Sequence, residues 1–295
     1  MATPGWAANI TPSWTPLALS CKVRKMDNWS IDVSYETIDL EMRGAVAWLT
    51  LNRPKAFNSI NLTMAKELCD LSIHLGEDKA VRAVVITGSG EAAYCAGGDV
   101  PSFAENLEGL PAVLKELTTY LHMGISRLAW MRAPVIAAVN GVAAGAGLSM
   151  VACTDLAIAA EGATFTSAYT KIGLSPDGSS SYFLPRIIGT RRAAELYMTN
   201  RVLSAEEALD WGLINRIVPA AELEAEVGKL ADQLANGATE AMGAVKKLLL
   251  MSTNDTLETQ MERETRYIAA LGGSADGQAG IQAFVGKSKP TFTGN

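Results

Sequence analysis

APVIAAVNGVAAGAGLSMVAC, residues 133–153, is the stretch on which the fold of this chain turns. It carries no charge, and it matches the roughly 20 residues that a membrane-spanning helix needs. Two features argue against a span. Asn140-Gly141 is a strong turn signal in its middle. Glycines at 141, 145 and 147 would each weaken a helix drawn through them. A buried strand over 135–139, a turn, and a buried helix over 145–152 account for the stretch better. Outward from it, 81–87 and 156–160 read as further buried strands, and apolar spacing predicts helices over 62–75, with Asn61 as cap, and about 111–130. At the front, 35–42 and 45–51 read as two antiparallel strands joined at Arg43-Gly44. Strands alternating with helices predict an α/β core.

Composition bounds the rest. The 295 residues are 48% apolar and 19% charged, which suits one large core or a core with an appendage. A net charge of −6 gives no electrostatic footprint for nucleic acid. Cys21, Cys69, Cys95 and Cys153 are too few and too scattered for a disulfide framework or a zinc site. A reducing, cytoplasmic setting follows as the expectation, with no metal and no membrane partner. Residues 1–25 are rich in Pro, Thr and Trp, lack an amphipathic period and do not read as a secretory signal. Patterned sequence begins just after Met26, an alternative start. Past about 220 the chain becomes almost wholly helix-forming, with three successive helical patterns up to Leu271. Ser204 and Glu207 form a capping box on the helix leading in. The expected organisation is a disordered extension over 1–33, an α/β core over 34–220 and a helical region over 221–295.

Several chemistries lack their motifs. There are two histidines, His74 and His122, no Gly-x-Ser-x-Gly elbow and no Walker A sequence. Gly88-Ser-Gly90-Glu-Ala-Ala93 mimics a dinucleotide fingerprint, but the residues after it do not continue as the amphipathic helix that motif needs. Two small-residue turns remain, each after a buried strand: Ala96-Gly97-Gly98-Asp99 and the run from Gly141 to Gly147. Small residues let a ligand approach the backbone, and a helix N-terminus offers free N–H groups. Two such turns facing each other would supply two donors for one oxyanion, each worth roughly 3 kcal/mol in a rate. The plain alternative is that these glycines only permit close packing between layers.

Taken in order, Asn52-Arg-Pro-Lys-Ala-Phe-Asn58, Tyr94-Cys-Ala-Gly-Gly-Asp99 and Ala138-Val-Asn-Gly-Val-Ala-Ala-Gly-Ala-Gly147 resemble the signature stretches of the enoyl-CoA hydratase/isomerase (crotonase) family. The likeness continues through Ile172-Gly-Leu-Ser-Pro-Asp177, Leu184-Pro-Arg-Ile-Ile-Gly189 and Ala205-Glu-Glu-Ala-Leu-Asp-Trp-Gly212, and spans about 34–292. The resemblance implies a spiral of β-β-α turns, a helical C-terminal region that trimerises and covers the site, and trimers often paired into hexamers. It implies an acyl-CoA substrate, with coenzyme A entering as part of that substrate and no tightly bound cofactor. It assigns the oxyanion-binding amides to Gly98 and to Ala146, where the family more often has glycine. It assigns the CoA nucleotide to Lys55, Ala56, Phe57 and Ala96. Lys287 and Lys289 would reach a phosphate, including that of a neighbouring subunit's CoA; otherwise they are a solvated tail.

The family varies its acids and bases, so the fold leaves the reaction open. The positions of the two glutamates of classical hydratases hold Ser149 and Tyr169, neither a carboxylate. Asp177 stands where several family isomerases and aroyl-CoA dehalogenases carry an acid, although Pro176-Asp177-Gly178 is also a good turn. The favoured reading is double-bond isomerisation with Asp177 as base, in a pocket for which Phe103, Tyr169, Tyr182 and Phe183 are candidate walls. His122, twelve residues before Pro134, sits at the spacing of a base in the dehalogenase-like members, which keeps open a hydrolytic enzyme using Asp177 and His122. The plain alternative for His122 is a packed helix residue. Classical hydration and a non-catalytic CoA-binding protein complete the set.

Overall fold

The computed structural model describes residues 34–295; the expected extension over 1–33, with Cys21, lies outside the described residues. β1 (Ile38–Arg43) and β2 (Val46–Leu51) form the expected antiparallel hairpin. α1 (Leu62–Glu77) starts where Asn61 accepts the Met64 N–H, so the cap read from the sequence is made. β3 (Ala83–Gly88) follows, then β4 (Ala93–Cys95), the short α2 (Val100–Ala104) and α3 (Leu110–Trp130). The uncharged stretch resolves into β5 (Val135–Val139), β6 (Val142–Ala144) and α4 (Ala146–Cys153). Next come β7 (Leu156–Ala160), β8 (Thr164–Thr166), α5 (Ser180–Ile188) and α6 (Thr190–Thr199). β9 (Val202–Ser204), α7 (Ala205–Asp210) and β10 (Arg216–Val218) close the core, and the capping box of Ser204 and Glu207 is present on α7.

The strands make two sheets. The larger runs β1-β2-β3-β5-β7-β10, parallel except for β1. The smaller runs β4-β6-β8-β9, parallel except for β9. Each of β3, β5 and β7 is followed within a few residues by a strand of the smaller sheet and then a helix, which is the expected spiral of β-β-α turns. β5 is buried along its whole length, as a parallel strand covered on both faces must be. Alternate residues of the larger sheet, among them Val46, Trp48, Val85, Ile136 and Ile158, pack against Leu223, Val227, Ala231 and Ala235 of α8 (Leu223–Ala235). A strand period of two meets a helix period of four, and the two stripes close one core.

The sequence reading missed the smaller sheet. Its strands have three residues each, too short for an alternation to show, and β4 lies between the strand expected over 81–87 and the turn at 96–99, where no element is expected. Because β4 follows Gly88 and Gly90, the apparent dinucleotide fingerprint opens a strand rather than a helix. The C-terminal region is helical as expected: α8, then α9 (Thr239–Met251), α10 (Leu257–Gly272) and a fourth helix, α11 (Ala275–Val285). Glycines at 277 and 280 hid α11, which Ser274 caps by accepting the Gly277 N–H. Among the described residues, no helix is long and apolar enough to cross a membrane. Cys69, Cys95 and Cys153 are buried free thiols.

Candidate functional site

The three parallel strands of the smaller sheet end at one place. The turn after β4 brings Ala96, Gly97 and Gly98; the turn after β6 brings Gly145 and Ala146; the turn after β8 brings Ala168 and Tyr169. All of them line one cavity of about 280 Å³, to whose lining Asp177 also belongs. Ligands of α/β folds characteristically sit beyond the carboxyl ends of parallel strands. The cavity is largely apolar, walled by Ile60, Val100, Phe103, Leu114, Leu117, Ile172 and Leu174; Lys115 and Asp177 are the charged residues in its lining.

The first two turns touch. Gly97 has φ +98°, and a Cβ built on it would lie 2.9 Å from the Ala144 carbonyl oxygen and 3.3 Å from the Ala146 nitrogen, so only glycine fits. Gly98 makes an isolated parallel bridge with Ile60: the Ile60 N–H donates to Gly97 O and the Asp99 N–H to Ile60 O, which leaves the Gly98 N–H unused. Ala146 opens α4, where the first N–H groups have no partner within the helix. Among the described residues neither the Gly98 nor the Ala146 N–H has an acceptor, and both residues face the same cavity. Ala146 is buried at the first position of the helix, where its methyl is accommodated.

Asp177 is held from several sides. The Tyr169 hydroxyl donates to Asp177 Oδ1 at 2.5 Å. Burial first, and then the Asp177 carboxylate, push the Tyr169 phenol far above its ordinary value, so it remains a donor. Ser149 Oγ lies 3.0 Å from the Asp177 carbonyl oxygen and 3.1 Å from the Tyr169 hydroxyl, and its single proton serves one of them at a time. Ser180 Oγ donates to the same carbonyl at 3.0 Å. The two positions that lack glutamates therefore both meet Asp177, Tyr169 at its carboxyl group and Ser149 at its main-chain carbonyl.

The loop after β2 buttresses the first turn. Residues Pro54–Ala56 form a single helical turn and Phe57 turns left-handed at φ 52°; its carbonyl accepts the Ala96 N–H at 3.0 Å. Lys55 and Phe57 are exposed there and Ala56 is half-buried; of the residues expected to hold the CoA nucleotide, Ala96 lines the cavity and these three do not. Arg53 donates to the Ser59 carbonyl at 2.6 Å and pairs with Asp99 at 2.7 Å, tying this loop to the residue after Gly98. Sequence reasoning did not single out that pair; an Arg and an Asp in two different motifs carry no signal until the motifs meet in space. It also passed over Lys115 and Thr118, which reach the cavity at helical spacing with Leu114.

Other expected residues are not in this cavity. Tyr182 and Phe183, candidate walls from the sequence, line a neighbouring cavity on the far side of the Asp177–Ser179 segment, because they sit on α5 facing the end of α9. His122 lines that second cavity as well, and its Nε2 accepts the Gly178 N–H at 3.0 Å. Lys287 and Lys289 follow α11, exposed, and neither lines the cavity of its own chain.

Comparison with known proteins agrees with this architecture. The family model described as enoyl-CoA hydratase/isomerase matches residues 41–295. The chain is 37% identical to 1,2-epoxyphenylacetyl-CoA isomerase of Escherichia coli (strain K12), over 84% of this chain and 95% of that one. It is 36% identical to 4-chlorobenzoyl coenzyme A dehalogenase-2 of an Arthrobacter species, over 80% of this chain and 86% of that one. The crystal structure of an enoyl-CoA hydratase from Bacillus anthracis superposes with a TM-score of 0.83 at 30% identity, covering 88% of this chain and all of the other. With two adjoining strand-end turns, their unclaimed amides and a match over nearly the whole described length, the chain belongs to the enoyl-CoA hydratase/isomerase family.

Proposed function

We propose that this enzyme acts on an acyl-CoA thioester through an enolate, and that it moves a carbon–carbon double bond with Asp177 as the base. The observation that carries the reading is the sharing of one apolar cavity by the unclaimed Gly98 and Ala146 N–H groups and the Asp177 carboxyl group. The thioester oxygen accepts both N–H groups, which stabilises the negative charge it gains when a neighbouring C–H ionises. Asp177 takes that proton; the electron pair of the broken C–H bond spreads over the conjugated enolate. Asp177 then returns the proton at another carbon of the same system, so the double bond shifts and nothing is added or lost. Tyr169 occupies Oδ1 of Asp177, which leaves Oδ2 for the substrate proton. Ala96 and the Lys55–Phe57 turn, joined by a hydrogen bond at the cavity mouth, suit the CoA end. Lys287 and Lys289 would serve the CoA of a neighbouring subunit in a trimer or hexamer. Coenzyme A enters as part of the substrate, and the chemistry calls on no separate cofactor.

The test is the turnover of 3-enoyl-CoA and 2-enoyl-CoA by Asp177→Asn. Isomerisation should drop by at least roughly a hundredfold, a typical loss for a general base. Undiminished activity on both substrates would overturn the assignment. Hydration by the two-carboxylate route finds little support, because Ser149 and Tyr169 hold the glutamate positions. The hydrolytic reading finds less support than isomerisation, since the Nε2 of His122 is already taken by the Gly178 N–H.

A further inference from the structure

We propose that His122 is a positioning residue: in its neutral form it accepts a hydrogen bond that fixes the backbone carrying Asp177, and it carries no substrate proton. The inference rests on the reading of Asp177 as base. The Gly178 N–H reaches His122 Nε2 at 3.0 Å. A ring nitrogen that accepts holds no proton, so the ring is neutral with its proton on Nδ1. On its other side the segment is closed by α4. Gly178 has φ +59°, and a Cβ built on it would lie 2.8 Å from the Ser149 Cβ. The Asp177 carbonyl meanwhile accepts from Ser180 Oγ at 3.0 Å and lies 3.0 Å from Ser149 Oγ. Three elements therefore clamp residues 177 and 178: α3 through His122, α4 through Ser149 and α5 through Ser180.

Of these three contacts, only the one to His122 depends on the charge state of a side chain. A protonated ring would turn an N–H toward the Gly178 N–H, and two donors cannot bond. Asp255, on the segment after α9, pairs with Arg263 at 2.5 Å. Tyr182 of α5 donates to the Leu250 carbonyl, with Arg186 stacked 3.6 Å over its ring. Asp177 receives the Tyr169 hydroxyl on its Oδ1. Among the described residues, His122 forms no ion pair. A charged ring would cost the clamp one of its contacts and Asp177 its register.

The pair His122→Gln and His122→Leu separates the roles. Glutamine keeps an acceptor near the place of Nε2 and takes no proton; leucine fills the space without one. On the 3-enoyl-CoA substrate, His122→Gln should hold kcat within about threefold of the parent. His122→Leu should lower kcat roughly ten- to hundredfold with KM changed less than about threefold, as a small misplacement of a base does. If His122→Gln is as inactive as His122→Leu, the ring moves a proton and the proposal fails; if His122→Leu matches the parent, the clamp is not needed and it fails too. A readout independent of turnover is the ring ¹⁵N spectrum. The chain has only two histidines, so the spectrum of His122→Gln assigns the resonances. A protonated Nδ1 and a bare Nε2 are expected at neutral pH, and the opposite tautomer would overturn the proposal. An active Asp177→Asn enzyme is a separate failure, of the base assignment, and leaves the tautomer measurement standing.

Discussion

Tyr169 shows how one residue's surroundings set its role. A free phenol titrates near 10. Burial and the facing carboxylate both disfavour the phenolate here, so rising pH does not turn this donor into an acceptor in any range where the protein stays folded. The hydroxyl therefore orients Asp177 at every working pH and is not itself a base. A hydrogen bond to a charged group is worth about 1.5–3 kcal/mol. Tyr169→Phe should accordingly lower kcat by roughly ten- to a hundredfold while CD and thermal midpoint stay close to the parent's. Equal kcat in the two proteins would show that the Asp177 carboxyl group keeps its place without the Tyr169 hydroxyl.

Short elements need ties that their own length cannot provide. The five-residue α2 follows directly on the Gly97-Gly98 turn, and Asp99 anchors both: its Oδ1 accepts the Ser102 N–H at 3.3 Å and its Oδ2 meets Arg53 at 2.7 Å. Asn at 99 keeps a capping acceptor but loses the charge. Asp99→Asn should therefore destabilise by about 1.5–3 kcal/mol in urea unfolding and lower kcat more than it raises KM, because the Gly98 amide loses its brace. A KM effect alone would assign the pair to CoA binding instead. At the other end of the core, Lys246 of α9 reaches Asp155 at 2.7 Å and donates to the carbonyls of Leu128 and Ala133. Burial outweighs the partner for both groups: Asp155 is raised and Lys246 lowered. Charging either one in the fold therefore works against stability, and each is tolerated because the other is there. Lys246→Met strands the carboxylate and should cost about 3–5 kcal/mol near neutral pH. The raised Asp155 takes its proton before an unfolded carboxylate does, so this loss should shrink as pH falls through the range just above the ordinary carboxylate value. Urea unfolding of parent and variant at the two pH values checks the sign; a loss that grows on acidification would refute it.

The molecule as a whole leaves apolar side chains on its C-terminal helices uncovered. Leu257, Met261 and Ile268 on α10, and Ile281, Phe284 and Val285 on α11, are all exposed, Phe284 by 87%. Exposed apolar residues gathered on adjoining helices mark a contact surface. We propose further copies of this chain as the partner, which is what the family resemblance implies. Sedimentation should report a trimer or a pair of trimers, and Phe284→Asp with Ile268→Asp should shift it toward monomer. A monomeric parent would remove the copy-to-copy role of α10 and α11, and with it the contact of Lys287 and Lys289 with a neighbour's CoA.

Local patterns in the chain were enough to specify the long elements. The boundaries of β5 and β7, the Asn61 cap, the Ser204–Glu207 box and the strand-turn-helix within 133–153 follow from apolar runs, turn dipeptides and capping residues, all of which act over a few neighbours. Glycine at 97 was legible for the same reason, since a tight turn demands it. The smaller sheet was not, because three-residue strands gain stability only from partners distant in sequence. Nor did any local signal tell that His122 would point at the Gly178 amide, that Tyr182 and Phe183 would face a different cavity, or that Arg53 would meet Asp99 across 46 positions of chain. Sequence alone thus determined which residue types stand ready for chemistry; only tertiary packing decided which of them share a cavity, because direction and distance between side chains are set where separate elements meet.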